Sequence, residues 1–262
     1  MRRAIDILPA AIKPFFVAHR DELVYRAIDP DTWRTVGWDD DQNHFVNFGA
    51  PELGRSGTDM PRDYTAALQR FGEAALRRLG TMPWREAEMF GNLQRAFESL
   101  GKGNAFAAQD IVVFAAAASH YVQDGTQPLH AANNYDGQFT GQRGVHARFE
   151  SELFERFESR LTLAPAPPKA FASPRDFAFD ELLASYRQVD ALLKADMDAI
   201  GDKDTYDDAY FEAFFTKVKP LLEERLSAAI TATASVIVSA WEQAGRPSLT
   251  VSAKREPRKR IR

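Results

Sequence analysis

A chain of 262 residues, 45% of them hydrophobic, is long enough to bury a full core, and we read it as one large domain over 1–245 followed by a basic tail over 246–262. It contains no cysteine, which excludes a disulfide framework and thiolate metal sites, so any metal must be held by imidazole and carboxylate. The formal net charge is −4, but the tail carries seven Lys/Arg against one acid; the body left behind, with 26 basic and 36 acidic residues, offers no general field to a polyanion.

Taken in order, the chain opens with MRRAIDILPAAIKPFF, where Asp6 and Lys13 interrupt the apolar stretch, so no signal-peptide core is present in the chain as given. Apolar Ile12, Phe15, Phe16, Leu23, Val24 and Ile28 predict one amphipathic helix, closed by a turn at Asp29-Pro30-Asp31. A loop rich in Trp, Asp, Asn and Gly follows and holds His44. Pro61 opens a helical stretch that Gly80 closes, and 84–100 forms the next helix. Asn104 is the expected N-cap of AFAAQDIVVFAAAASHYVQD, apolar around most of its circumference and therefore the central buried helix, stopped by Gly125.

The polar, Gly-rich segment 133–144 suits the border of a cleft, and a helix beginning near Gly144 carries His146, Phe149, Glu150, Leu153 and Phe157. Four prolines make 163–174 a semi-rigid connector. Two long helical stretches, 177–200 and 205–244, finish the domain. The longest uncharged run, 226–241, falls short of the ~20 apolar residues of a membrane span. No alternating strand pattern occurs, so the expected fold is all-α, a single multi-helix domain with a metal cluster between buried helices. The tail is read as a solvated, disordered terminus.

The metal cluster is expected from 120–150, HYVQDGTQPLHAANNYDGQFTGQRGVHARFE, which holds three of the five histidines. His120 and Asp124 are four apart, as are His146 and Glu150, which places each pair on one helix face. An isolated H-x3-D pair is ordinarily a satisfied core pair, but His130 follows through a Pro-stiffened turn, and five ligand-type residues within 31 positions exceed what packing asks for. His44 is a weaker further candidate, and His19 beside Arg20 is read as an ordinary surface or boundary histidine.

These residues carry a resemblance. HYVQDGTQPLHAAN followed by GVHARFE, an H-x3-D-x5-H block and then H-x3-[ED], is similar to the ligand block of the bacterial zinc-dependent phospholipases C and the single-strand-specific zinc nucleases of fungi and plants, one all-helical superfamily. Asn43-His44-Phe45 resembles its upstream HF element, IDPDTWR the segment supplying its first aspartate, and SAWEQAGRPSL the end of bacterial members. The resemblance implies one metal held by His44, His120, Asp124 and either Asp31 or Asp29, and a second held by His130, His146 and Glu150. Asp31 begins a D-x-x-R element like that of the plant nucleases, whereas Asp29 better matches their spacing to the HF histidine.

In that superfamily a third metal is held by an N-terminal Trp, a nearby histidine and the aspartate equivalent to Asp124. This sequence begins at Met1 without either, so the expectation is a start lying upstream together with an export signal, giving a periplasmic or secreted protein. The implied activity is a zinc-dependent phosphodiester hydrolase, with metal-activated hydroxide attacking phosphorus, Asp31 or Asp29 as general base, and Asp31 and Asp124 as the catalytic carboxylates. Glu150 at the last ligand position and HAAN after the helix resemble the phospholipase branch. A phospholipid or small phosphodiester is thus the expected substrate, with single-stranded nucleic acid, stacked on Trp33, Trp38, Tyr135 or Phe139, as the alternative. Arg143 and Arg148 are near enough in sequence to contact phosphate, although exposed salt bridges are their ordinary role. A metal-stabilised binding domain without catalysis is the alternative of another class.

Overall fold

The computed structural model describes residues 1–249, so the expectation of a disordered tail falls mostly outside the described residues. Among those described the chain is helical, with no sheet and a single isolated bridge between Phe48 and Ala132. No helix among them is long and apolar enough to cross a membrane. The helices are α1 (Arg2–Asp6), α2 (Lys13–Ala18), α3 (Arg20–Arg26), α4 (Asp29–Thr35), α5 (Tyr64–Phe71), α6 (Glu73–Leu79), α7 (Met82–Gly101), α8 (Ala107–Thr126), α9 (Val145–Ala147), α10 (Leu153–Phe157), α11 (Pro174–Tyr186), α12 (Val189–Ile200) and α13 (Asp208–Gln243).

Helix α8 is central, as its composition requires. Ile111, Val112, Ala115, Ala116, Ala118 and Tyr121 are buried against Phe90, Leu93 and Phe97 of α7 and Ala234, Ile237 and Ala240 of α13. The alanines let the three backbones approach, and the aromatic and branched side chains fill the remaining gaps. A second cluster, built on Phe149, Leu153, Leu192, Phe211, Phe214 and Phe215, packs α9, α10 and α12 onto the first half of α13.

Several expected elements are divided. The helix predicted through 12–28 breaks at His19 (φ −106°, ψ 14°) into α2 and α3, and the stretch from Pro61 to Gly80 breaks at Gly72, whose φ of 74° only glycine adopts freely. The stretch 177–200 breaks at Arg187–Gln188. Asp29-Pro30-Asp31 starts a helix rather than a turn, because a proline in a first turn gives up an N–H that has no intrahelical partner there. Gly125 does not stop α8, which runs on to Thr126. A Cβ at this position would lie 2.9 Å from Glu86 Oε1, so the glycine serves close approach to α7. Phe106 rather than Asn104 occupies the N-cap of α8, with the Asn104 side chain accepting from the Phe106 N–H.

The proline-rich connector is held along its length by α13. Backbone N–H groups of Thr162, Ala164, Ala166, Lys169 and Phe171 donate to Glu223 Oε1 and to the hydroxyls of Ser227, Thr231, Ser235 and Ser239, one stripe of acceptors spaced four apart. An extended chain without ladder partners thereby gains fixed partners for its backbone donors along the surface of α13.

Glu86 is buried in α7, and its Oε1 has no hydrogen-bond partner. Burial, reinforced by the charges of Glu181 and Asp124, pushes its carboxyl well above the usual carboxylate range. The folded state therefore holds this proton more tightly than the unfolded chain, and stability falls as pH rises above the ordinary glutamate value. Glu86→Gln, which keeps the shape without the charge, is expected to gain about 1–2 kcal/mol near pH 8 and nothing near pH 4. Urea unfolding at the two pH values checks this, and an equal loss at both would overturn it.

Candidate metal centre

Four histidines and three carboxylates converge where α3 and α4, a 3-10 turn at Asp41–His44, the end of α8, a 3-10 turn at Pro128–Ala131 and α9 meet. The two turns clasp each other: Val46 N–H donates to His130 O (2.8 Å), and His130 Nδ1 donates to His44 O (2.6 Å). Gly80 makes room for this clasp, since a Cβ there would stand 2.0 Å from Phe45 O. After α9 the backbone widens into a π turn, Arg148–Glu152, which carries Glu150 and continues into α10.

Two groups of side chains face inward. In the first, His44 Nδ1 and His120 Nε2 are 3.1 Å apart, with Asp31 Oδ1 at 3.9 and 3.8 Å from them respectively. In the second, His130 Nε2 and His146 Nε2 are 3.2 Å apart, and Glu150 Oε2 lies 2.8 Å from His146 and 3.4 Å from His130. Asp124 stands between the groups: its Oδ2 is 3.0 Å from His44, 3.3 Å from His120 and 3.9 Å from His130 Nδ1. Asp31, His44 and His120, and separately His130, His146 and Glu150, could each hold a metal ion.

Every one of these histidines has its outward nitrogen already engaged. His120 Nδ1 donates to Ala27 O (2.9 Å), His130 Nδ1 to His44 O, and His146 Nδ1 to Tyr135 O (3.0 Å). His44 Nε2 lies 3.1 Å from Asp40 Oδ2. A carbonyl only accepts, so in a neutral ring the inward nitrogen of each carbonyl-bound histidine is a bare lone pair. His130 and His146 therefore point two lone pairs and a carboxylate oxygen at one spot, an arrangement that requires a proton or a cation. Two ligand atoms each about 2.1 Å from a tetrahedral zinc are about 3.4 Å apart, close to the separations found here. Histidines anchored through their other nitrogen are also the usual form of a metal site.

The electrostatics agree. Burial opposes ionisation of Asp124 and Glu150, but His130 and the other histidines outweigh it and hold both carboxyls well below the usual range. Burial likewise opposes charge on His130, yet Asp124 and Glu150 raise it to about 9. His44 is raised in the same way, with Asp124 and Asp40 overcoming burial.

Two cavities open on the centre. One of about 550 Å³ is lined by Asp31, Arg34, Arg78, His130, Tyr135 and Glu150, among others. The other, of about 400 Å³, lies between α3, α8 and α13 and is walled by Val24, Ile28, Phe149, Leu222 and Leu226 beside Asp31 and His120.

Of the sequence candidates, Asp31, His44, His120, Asp124, His130, His146 and Glu150 are brought together. Asp29 is not: its Oδ2 pairs with Arg26 Nη1 at 3.3 Å. His19 packs its ring on Phe15 away from the centre, and Arg143 is exposed. Arg148 is neither a phosphate contact nor a surface residue; it is buried in an ion pair with Asp196.

Two residues of the centre's support escape sequence reasoning. Gln127 Nε2 donates to Glu150 Oε2 (3.1 Å) and sits 3.2 Å from His146 Nε2. Asp40 receives the Tyr121 hydroxyl (2.6 Å), Arg85 Nη2 (2.8 Å) and Asn43 Nδ2 (2.7 Å) while pinning His44. Burial works against its ionisation, but His44, Tyr121 and the other donors bring it down to about 2. Asp40 stands among three consecutive aspartates, so its spacing of four from His44 is the only signal it leaves in the sequence. Asp40→Asn is expected to weaken zinc binding about 10–100-fold with the fold intact, as read by competition with a chromophoric chelator. An unchanged affinity would refute the assigned role.

No protein-family model matches the chain, and no curated protein matches it. The resemblance to the zinc phospholipases C and nucleases therefore rests on the sequence motifs alone.

Proposed function

We propose that this chain is a zinc-dependent phosphoric ester hydrolase acting on phosphodiesters, phospholipase C-like in substrate, of the superfamily its ligand block resembles. The observation that carries the reading is the commitment of all four histidines: each outer nitrogen is tied off, and the inner nitrogens meet carboxylates at metal-ligand spacing. Asp31, His44, His120 and Asp124 would hold one zinc, and His130, His146 and Glu150 the other. Bound zinc supplies Lewis acidity, acidifying water and neutralising charge on the phosphoryl group.

The chain's own residues supply the rest. Asp124, largely buried and held ionised by three histidines, stands between the two groups and contacts both. Both expected catalytic carboxylates line both cavities, and Asp31, with its side chain 44% exposed against 13% for Asp124, is the better placed of the two to take a proton from water. Arg34 and Arg78 on the wall of the larger cavity offer charge to the non-bridging phosphate oxygens. Single-stranded nucleic acid is the competing substrate, favoured by the rings of Phe45 and Tyr135 in the same cavity.

The test is elemental analysis for zinc together with hydrolysis of a chromogenic phosphodiester before and after chelation. Two zinc ions per chain and a chelator-sensitive rate, lost in His120→Ala, are expected. Tight zinc without turnover on phosphodiesters or phosphomonoesters would leave a metal-stabilised binding domain, and no tight metal would remove the centre altogether.

A further inference from the structure

One side chain at the second group of ligands stands among the ligand atoms without being able to act as one. Gln127 is the C-cap of α8 and the N-cap of the 3-10 turn Pro128–Ala131, with its Oε1 accepting from the Leu129 N–H. An amide whose oxygen is held on one side turns its nitrogen to the other. Here Nε2 meets the ligands, 3.1 Å from Glu150 Oε2 and 3.2 Å from His146 Nε2. The ligand atoms themselves are no farther apart, at 3.2 Å for His130 and His146 and 2.8 Å for His146 and Glu150. An amide nitrogen carries two hydrogens and only donates, so it can hold a carboxylate but not a cation.

In the first group the comparable place belongs to a ligand. Asp124 Oδ2 lies 3.0 Å from His44 and 3.3 Å from His120, and adds a fourth ligand atom to those of Asp31, His44 and His120. The cavities give the second group a direction. Gln127 and Glu150 line the smaller cavity, in which neither His130 nor His146 takes part, whereas His130, His146 and Glu150 line the larger one without Gln127. The amide therefore stands on the smaller-cavity side, and the group opens on the larger.

We propose that Gln127 is the positioning residue that keeps the second group at three protein ligands: it holds Glu150 Oε2 by a hydrogen bond and denies the neighbouring place to a fourth ligand. A cation bound there is thereby left a position for an exchangeable anion or water, reached from the larger cavity. Zinc closed by four protein ligands is a structural ion, and zinc with three keeps a position for exchange. The proposal rests on the zinc hydrolase reading and adds how the second site is kept open. Capping the turn does not by itself call for glutamine, since Ser, Asp or Asn serves an N-cap well.

Gln127→Glu is the discriminating change. It retains an oxygen for the Leu129 N–H and puts a carboxylate oxygen in place of Nε2. Wild type and variant are loaded with cobalt(II), whose visible absorption reports its coordination, and titrated with azide; zinc affinity is read in parallel by competition with a chromophoric chelator. Azide should change the spectrum of the wild type and leave that of Gln127→Glu unaltered. One of the two zinc-binding steps should tighten at least about tenfold in this variant, with the other unchanged. Gln127→Ser, which caps the turn and adds no ligand, should keep the azide response and weaken the same step about tenfold or more, because Glu150 has lost its donor.

A wild type without an azide response, a response that survives in Gln127→Glu, or a zinc affinity moved in the same direction by both substitutions would each overturn the assignment. If Gln127→Glu does not fold, Gln127→Ser still decides, since unchanged zinc affinity there would reduce Gln127 to a cap. The expected azide and zinc results without turnover of any phosphoester would sink the hydrolase reading and keep the role of Gln127; turnover with an azide response equal in wild type and Gln127→Glu would do the reverse.

Discussion

Asp196→Ala is expected to lower the unfolding free energy by about 3–5 kcal/mol, because it leaves a buried guanidinium without its anion. Asp196 is fully buried on α12 and Arg148 nearly so in the π turn. The carboxylate accepts from Arg148 Nη2 (3.0 Å), from Gln142 Nε2 (2.7 Å) and from the Tyr210 hydroxyl, while the guanidinium lies 3.9 Å from the centre of the Tyr206 ring. Removing one partner costs far more than the pair contributes, so a double change, Arg148→Met with Asp196→Leu, should recover a large part of the loss.

The consequence for the centre is specific. Arg148 also donates to the carbonyls of Arg143 and Gln142, and so secures the end of the loop whose Tyr135 carbonyl sets the ring of His146. Asp196→Ala should therefore weaken zinc binding at the His130, His146, Glu150 group while sparing the Asp31, His44, His120 group. Guanidinium unfolding and zinc stoichiometry check the two halves; a loss below 1 kcal/mol would show that water already reaches the pair.

What could be read in advance follows from the range of each interaction. The central helix α8 was legible because alanine and branched residues surround it on nearly all sides, a pattern that needs no knowledge of its neighbours. The H-x3-D and H-x3-E pairs were legible because an i, i+4 contact is local, and it survives even though Glu150 sits in a π turn. The choice between Asp29 and Asp31 was not, since it depends on Arg26 drawing Asp29 aside and on the direction in which α4 leaves Pro30. Asp40 and Arg148 were hidden for a stronger reason. The partners that fix their roles, Arg85 and Tyr121 for Asp40 and Asp196 for Arg148, lie 45 to 81 residues away in sequence, and only the packed fold decides whether a charge becomes a surface residue or a support.

Zinc should stabilise this chain, and the stabilisation should grow with pH. At a thousandfold excess over its dissociation constant, a ligand that binds only the folded state adds about 4 kcal/mol. In the chelated protein His130 is raised to about 9, above its unfolded value near 6.5. Its positive charge therefore supports the fold fully below about pH 6.5, and that support is lost as pH rises through 9; it is worth on the order of 3 kcal/mol. Under the proposed reading, zinc would take the place of that proton between His130, His146 and Glu150. The loaded chain should then keep its stability over the same window, and the gain on adding zinc should be larger near pH 8.5 than near pH 6.5. Thermal unfolding with and without chelator at the two pH values measures it. If the gain is instead equal at both, no proton is displaced when zinc binds, and His130 is not among the ligands.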